Sequence, residues 1–137
     1  MKKKIKNIMV DMSATLLHHG HIRLLKKASL LGNVIVGLST DEDIYKIKGY
    51  KPELDFKQRK EILLGIRYVN KVVKVKYYLN MQELKKHKID YLIHGQDNSN
   101  EIHKNKLILV KRTSNISSST LRKRAYLNYK KINKKFK

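Results

Sequence analysis

The chain contains no cysteine, which removes disulfides, thiolate nucleophiles and cysteine–zinc sites together and fits a reducing compartment. Tryptophan is also absent, and the one proline, Pro52, falls in a stretch that reads as a loop. No apolar run approaches the roughly 18 residues of a membrane helix. The start, Met1-Lys2-Lys3-Lys4-Ile5-Lys6-Asn7, is basic, but the apolar segment behind it is too short for a signal peptide. A cytoplasmic protein without a membrane partner is therefore expected. Acid is scarce as well: 11 Asp and Glu stand against 32 Lys and Arg, a formal net charge of +21. Such an excess concentrates anions and favours nucleotides, phosphorylated metabolites or nucleic acid. A lysine-rich composition that merely fills solvated faces produces the same number.

What is present suffices for one folded domain: 137 residues, 41% of them hydrophobic, can bury a proper core. Ile8-Met9-Val10 reads as a buried strand ending near Asp11-Met12-Ser13. Ile22, Leu24, Leu25, Ala28, Leu30 and Leu31 recur roughly at helical spacing, and Gly32 is expected to stop that helix. Val34 to Leu38 is apolar throughout, as a strand covered on both faces is. Ser39-Thr40-Asp41-Glu42 offers caps for a short helix to about Ile47, and Lys48-Gly49-Tyr50-Lys51-Pro52 reads as a loop. Asp55 can cap a helix whose Phe56, Ile62, Leu63 and Ile66 face inward. Val69–Val75, Tyr91–Ile93 and Leu107–Val110 supply three more strands, with a helix near Met81–His87 between the first two. A last helix opens at Ile116 to Leu121. Strands alternating with helices predict an α/β, Rossmann-like three-layer domain with a five-stranded parallel sheet. It is expected to span residues 1–121, with 122–137 forming a basic helix end or tail that could touch an acidic partner.

In such a sheet, ligands sit beyond the carboxyl ends of the strands, near the switch point. Every functional candidate falls there. The first is Leu16-Leu17-His18-His19-Gly20-His21, where a strand gives way to a helix. Backbone N–H groups and the positive end of the helix dipole hold phosphate at such a junction, and imidazoles there can donate to phosphate oxygens. Beyond the fifth strand, Arg112 can fork onto two phosphate oxygens. Ser117, Ser118 and Ser119, at the opening of the last helix, offer hydroxyls and amides, although plain N-capping needs only one of them.

These stretches, taken together, resemble the H-x-G-H nucleotidylyltransferases, and among them the short cytidylyltransferases of the glycerol-3-phosphate type. The likeness runs through Leu16 to Ile22, Ser39 to Glu42, Gln58-Arg59-Lys60, Ile66 to Val69, His94-Gly95-Gln96-Asp97, and Arg112-Thr113 followed by Ile116 to Ser119. It implies attack of an acceptor phosphate on the α-phosphorus of CTP, with release of pyrophosphate, a divalent cation such as Mg²⁺, and no covalent enzyme intermediate. The metal ligands are left open. By resemblance His18, His21, Lys48 and Arg112 are the catalytic candidates. Ser13, Ala14, Lys46, Gly95, Asp97, Thr113, Ser117, Ser118 and Ser119 are the nucleotide-binding ones. Lys46 and Lys48 are expected in a phosphate-reaching loop, and the backbone near Gly95 and Thr113 is expected to read the base. The resemblance also makes a homodimer plausible.

The chain departs from the family in three places. Thr15 stands where relatives carry an acid, Gln96 replaces the first acid after Gly95, and a tryptophan common to several relatives is missing. Met12-Ser13-Ala14, the Lys48-Gly49 loop and His94-Gly95 resemble cytidylyltransferase domains of phosphonate metabolism. Glycerol 3-phosphate is the leading acceptor. A phosphonate, phosphocholine or phosphoethanolamine, or adenylyl transfer from ATP, are alternatives within the class. Outside it stand a nucleic-acid-binding module, suggested by the +21 charge, and an inactive nucleotide binder, suggested by Thr15. H-x-G-H also occurs in class I aminoacyl-tRNA synthetases, but 137 residues leave no room for an anticodon domain.

Overall fold

The computed structural model describes residues 4–136; the basic stretch Met1 to Lys3 and Lys137 lie outside the described residues. Five strands, β1 (Asn7–Met12), β2 (Asn33–Ser39), β3 (Lys71–Val75), β4 (Tyr91–Gly95) and β5 (Leu107–Val110), form one parallel sheet in the order β3-β2-β1-β4-β5. The helices between and after them are α1 (His19–Ser29), α2 (Asp41–Lys48), α3 (Phe56–Leu64), α4 (Met81–Lys86) and α5 (Ser118–Phe136). The expected α/β, Rossmann-like five-stranded parallel sheet is the observed one.

The alternation of side chains along each strand divides the core in two. Ile8, Val10, Val34, Val36 and Ile93 pack with Leu25 and Ala28 of α1 and Leu63 of α3. Met9, Ile35 and Leu92 point the other way and pack with Leu79, Ile89 and Leu84 of α4. Both faces are thus covered at the centre of the sheet, which is why β2 reads as an apolar run from Val34 to Leu38. The chain leaves β1 toward β2 on one side and later toward β4 on the other. The crevice between the carboxyl ends of β1 and β4 is therefore the switch point.

Some boundaries differ from the sequence reading, each for a local reason. α1 stops at Ser29, and Leu30 and Leu31 are exposed rather than part of its apolar face. Gly32 does not stop the helix. A Cβ there would lie 2.1 Å from the Lys6 carbonyl oxygen, which accepts the Asn33 amide at 2.8 Å, so glycine permits the close approach of two chain segments. β3 begins at Lys71 because the Val69 amide closes a turn onto Ile66 and Asn70 exchanges hydrogen bonds with the backbone of Val34. Lys46 and Lys48 belong to the last turn of α2 and not to a loop. Thr40 caps the start of that helix, and Gly49, at φ +80°, closes it in the left-handed region. In α3, Ile62 is exposed and Arg59 is turned inward in its place, between Phe56 and Leu63. α5 passes through residues 121 and 122 without a break, and its basic portion is exposed from Lys123 to Lys134. Among the described residues no helix is long and apolar enough to cross a membrane.

Candidate active site

At the switch point, the loop leaving β1 places Ala14 in the left-handed region at φ +48° while burying its side chain. Such a conformation is uncommon for a residue with a Cβ and marks a loop shaped by its surroundings. Thr15, also buried, lies with its Oγ1 3.5 Å from the Tyr50 hydroxyl. At the position where the resemblance led to an expected acid, this chain buries a neutral group.

His18 is the N-cap of α1. Its Nδ1 accepts the Gly20 amide at 3.0 Å, and the His21 Nδ1 accepts the His18 amide at 3.1 Å. The two histidines thus form a reciprocal capping box in which imidazoles replace the usual hydroxyl and carboxylate. An Nδ1 that accepts a backbone N–H carries no proton, so each neutral ring holds its proton on Nε2. The ring centroids are 4.0 Å apart. Burial, then the nearby His18 and Arg112, lowers the His21 pKa to about 3, and burial with the neighbouring His19 and Arg112 lowers that of His18. Both rings are neutral Nε2 donors at physiological pH. Gly20 is explained by the same arrangement, since a Cβ there would sit 2.8 Å from the His18 ring.

Across the crevice, His94 at the end of β4 shares a 2.6 Å hydrogen bond between its Nδ1 and Asp11 Oδ1. The other Asp11 oxygen accepts from the Asn100 side-chain amide at 3.1 Å. Burial opposes charge on His94, but the Asp11 hydrogen bond and the charges of Asp11 and Asp97 outweigh it, and the pKa is raised. The crevice therefore pairs two imidazoles whose cationic forms are disfavoured with a third whose cationic form Asp11 stabilises. Arg112, after β5, forms a 2.8 Å ion pair with Asp97 beside Gly95, where a Cβ would lie 2.8 Å from the Arg112 Nε. At the start of α5, Ser117 Oγ accepts the Thr120 amide at 3.0 Å, and Ser118 Oγ donates to the Leu16 carbonyl at 2.9 Å. One serine caps the helix and the next fastens it to the β1–α1 loop.

These groups surround one cavity of about 410 Å³. Ser13, Ala14, His18, His21, Lys48, Gly95, Asp97, Arg112, Thr113, Ser117, Ser118 and Ser119 all line it. Lys46, exposed on α2, does not. The cavity is also lined by Asp11, His94, Asn100, Tyr77 and Tyr78, which are not among the site residues expected from the sequence. The signal for Asp11 is an acid directly after the apolar run Ile8-Met9-Val10. Asn100, Tyr77 and Tyr78 carry no such signal. Arg59 lies beneath the site with 1% exposure, donating to the carbonyls of Ser13, Ser39 and Leu54 and pairing with Asp41. It props the loop.

The model of the cytidylyltransferase-like family matches residues 15–124, most of the chain. The chain belongs to the cytidylyltransferase-like family. It is 35% identical over 128 residues to a glycerol-3-phosphate cytidylyltransferase of Staphylococcus aureus (strain NCTC 8325 / PS 47), covering 89% of this chain and 96% of that protein. A glycerol-3-phosphate cytidylyltransferase of Bacillus spizizenii is 34% identical, with 87% and 96% covered. An ethanolamine-phosphate cytidylyltransferase of Mus musculus is 33% identical over 97 residues, 69% of this chain but 24% of that larger protein. Among solved structures, a lipopolysaccharide core biosynthesis protein from Thermoplasma volcanium GSS1 shares the fold with a TM-score of 0.68 and 18% identity, over 81% of this chain and 100% of that one. Membership makes this cytidylyltransferase-like chain an enzyme of nucleotidyl transfer.

Proposed function

We propose that this enzyme transfers CMP from CTP to glycerol 3-phosphate. An oxygen of the acceptor phosphate attacks the α-phosphorus, the bond from that phosphorus to the β-phosphate oxygen breaks, and pyrophosphate leaves with the electron pair. Negative charge shifts toward the pyrophosphate in this in-line displacement, so fixed donors and cations supply most of the catalysis. The observation that carries the reading is the reciprocal His18–His21 cap, which leaves two Nε2 donors on rings lining the same cavity as Arg112, Lys48 and the serines of α5.

In this reading His18 and His21 donate to the triphosphate and Lys48 neutralises it. Arg112 turns from Asp97 onto phosphate oxygens, and Ser117 to Ser119 bind the β- and γ-phosphates. Ser13, Ala14, Gly95, Asp97 and Thr113 contact the nucleoside side. Among the described residues no cluster of three His, Cys, Asp or Glu could cage a metal ion. Mg²⁺ commonly binds through one or two carboxylates together with substrate phosphates, a mode that suits this cavity. Asp11, held by His94 and Asn100, and Asp97, paired with Arg112, are the carboxylates that line the cavity, and either could share such an ion with the phosphates. Bound there with the nucleotide, the ion would neutralise charge on the phosphates. A cytoplasmic location and a homodimer belong to the same reading.

The similarity to ethanolamine-phosphate cytidylyltransferases favours phosphoethanolamine as the second acceptor to test. Pyrophosphate release should be measured with CTP or ATP and Mg²⁺ against glycerol 3-phosphate, phosphoethanolamine, phosphocholine and 2-aminoethylphosphonate. Fastest turnover is expected with CTP and glycerol 3-phosphate. Absence of release with every pair would sink the enzyme reading.

A further inference from the structure

The chain carries no acid after Glu101, yet the first basic residue of its last helix has found one. Arg122 sets its guanidinium fork on Glu53, with Nε 3.0 Å from one carboxylate oxygen and Nη2 2.5 Å from the other. The same guanidinium lies 4.1 Å above the Tyr50 ring. Glu53 and Tyr50 both belong to the loop 49–55 that joins α2 to α3, 69 residues away in sequence from Arg122 in the case of Glu53. The next residues of α5, from Lys123 to Lys134, are exposed, whereas the Arg122 side chain is only 26% exposed.

The position of this clasp gives it a consequence at the cavity. Lys48 is the last residue of α2, directly before the clasped loop. Arg122 lies one helical turn beyond Ser118, which is itself tied to the β1–α1 loop through the Leu16 carbonyl. On its inner side Tyr50 brings its hydroxyl 3.5 Å from Thr15. Three segments of the cavity wall therefore meet through Arg122 and Ser118: the loop before α1, the end of α2 and the start of α5.

We propose that Arg122 is a positioning residue, which clasps Glu53 and Tyr50 so that Lys48 and Ser117–Ser119 face the same triphosphate at a fixed separation. This rests on the cytidylyl-transfer reading for its substrate, but not for its geometry. The Glu53 hydrogen bond raises the Arg122 pKa and lowers that of Glu53, so both partners stay charged over the working range. A partly exposed ion pair adds little to overall stability, even when bidentate. The clasp should therefore be felt in nucleotide binding more than in the melting temperature. Lysine cannot replace arginine here, because it offers neither the planar fork nor the stacking face.

The test compares Arg122→Lys, Arg122→Ala, Glu53→Gln, the Arg122→Ala/Glu53→Gln pair, and Lys123→Ala as an exposed neighbour. The three single clasp variants should raise KM for CTP about tenfold, with kcat within about threefold and Tm within about 2 °C of the parent. The pair should be no worse than either single change, because each removes the same interaction. Lys123→Ala should behave as the parent. A parental KM in Arg122→Lys, or additive losses in the pair, would overturn the clasp. Amide hydrogen exchange provides a readout independent of activity. Residues 48–54 should exchange faster in Arg122→Ala than in the parent, and unchanged exchange there also overturns the proposal. A parent chain inactive with every nucleotide and acceptor, but showing that faster exchange, would reject the assigned reaction and retain the clasp.

Discussion

Arg59 and Ser13 are joined by a 2.7 Å hydrogen bond from a guanidinium nitrogen to a backbone carbonyl, at the base of the cavity. The same nitrogen donates to Ser39, and the other arms reach Leu54 and Asp41. A charge with 1% exposure is stable only where each donor has a partner, and here one residue joins the ends of β1 and β2 to the starts of α2 and α3. Arg59→Met should leave those carbonyls without their donor and cost about 3 kcal/mol. Urea unfolding measures this directly. A loss well below about 1 kcal/mol would mean that the loops hold without the guanidinium.

The Gly20 position is dictated by a ring rather than by backbone freedom. A methyl group there would meet the His18 imidazole at 2.8 Å and force it off the Gly20 amide. Gly20→Ala should therefore lower turnover while costing only about 1 kcal/mol in stability, the usual worth of an N-cap. Activity at the parental level would show that the ring can move without consequence.

His18 combines a structural task with a chemical one, and a suitable substitution separates them. Asparagine is among the best N-cap residues and can accept the same amide, but it lacks an imidazole Nε2–H. His18→Asn should retain Tm within about 2 °C of the parent, whereas turnover falls on the order of 100-fold, as for loss of one transition-state donor. His18→Ala should lose the cap as well, adding about 1 kcal/mol of destabilisation. Near-parental turnover in the asparagine variant would remove His18 from the chemistry.

Much of this is legible in the sequence. The interior strand β2 is apolar because both faces of the sheet are covered there, and the caps Thr40 and Asp55 sit where local sequence places them. Apart from Lys48 at the end of α2, the phosphate-site residues lie in strand-to-helix junctions, whose chemistry is local. What escaped was non-local. Inward-facing Arg59 in α3 violates the apolar pattern and makes sense only beside Ser13, Ser39 and Asp41. Gly32 looks like a helix stop until the Lys6 carbonyl is seen against it. Asp11 and His94 are 83 residues apart, and only the parallel pairing of β1 with β4 brings them together. Lys46 and Lys48 both read as phosphate-reaching residues, with Lys48 the better placed beside Gly49, and the helical turn that carries both puts only Lys48 on the cavity.

The contrasting histidines give the protein opposite pH slopes on either side of neutrality. The His94 pKa is raised in the folded state, so the stability it contributes is fully present below its usual value near 6.5 and is lost as pH rises through the folded pKa. His21 is lowered to about 3. Its neutral form is favoured by folding, so that contribution is present above about 6.5 and is lost as pH falls toward about 3. Glutamine suits both tests: at position 94 it can still donate to Asp11, and at position 21 it can still accept the His18 amide, as in an ordinary capping box. Urea midpoints should be followed between about pH 4 and pH 9. Relative to the parent, His94→Gln should lose the decline above pH ~6.5, and His21→Gln should soften the decline below it. Differences between variant and parent isolate these two groups from the carboxylates that titrate at the acid end. Parallel curves for His94→Gln and the parent would mean that Asp11 does not hold the His94 proton.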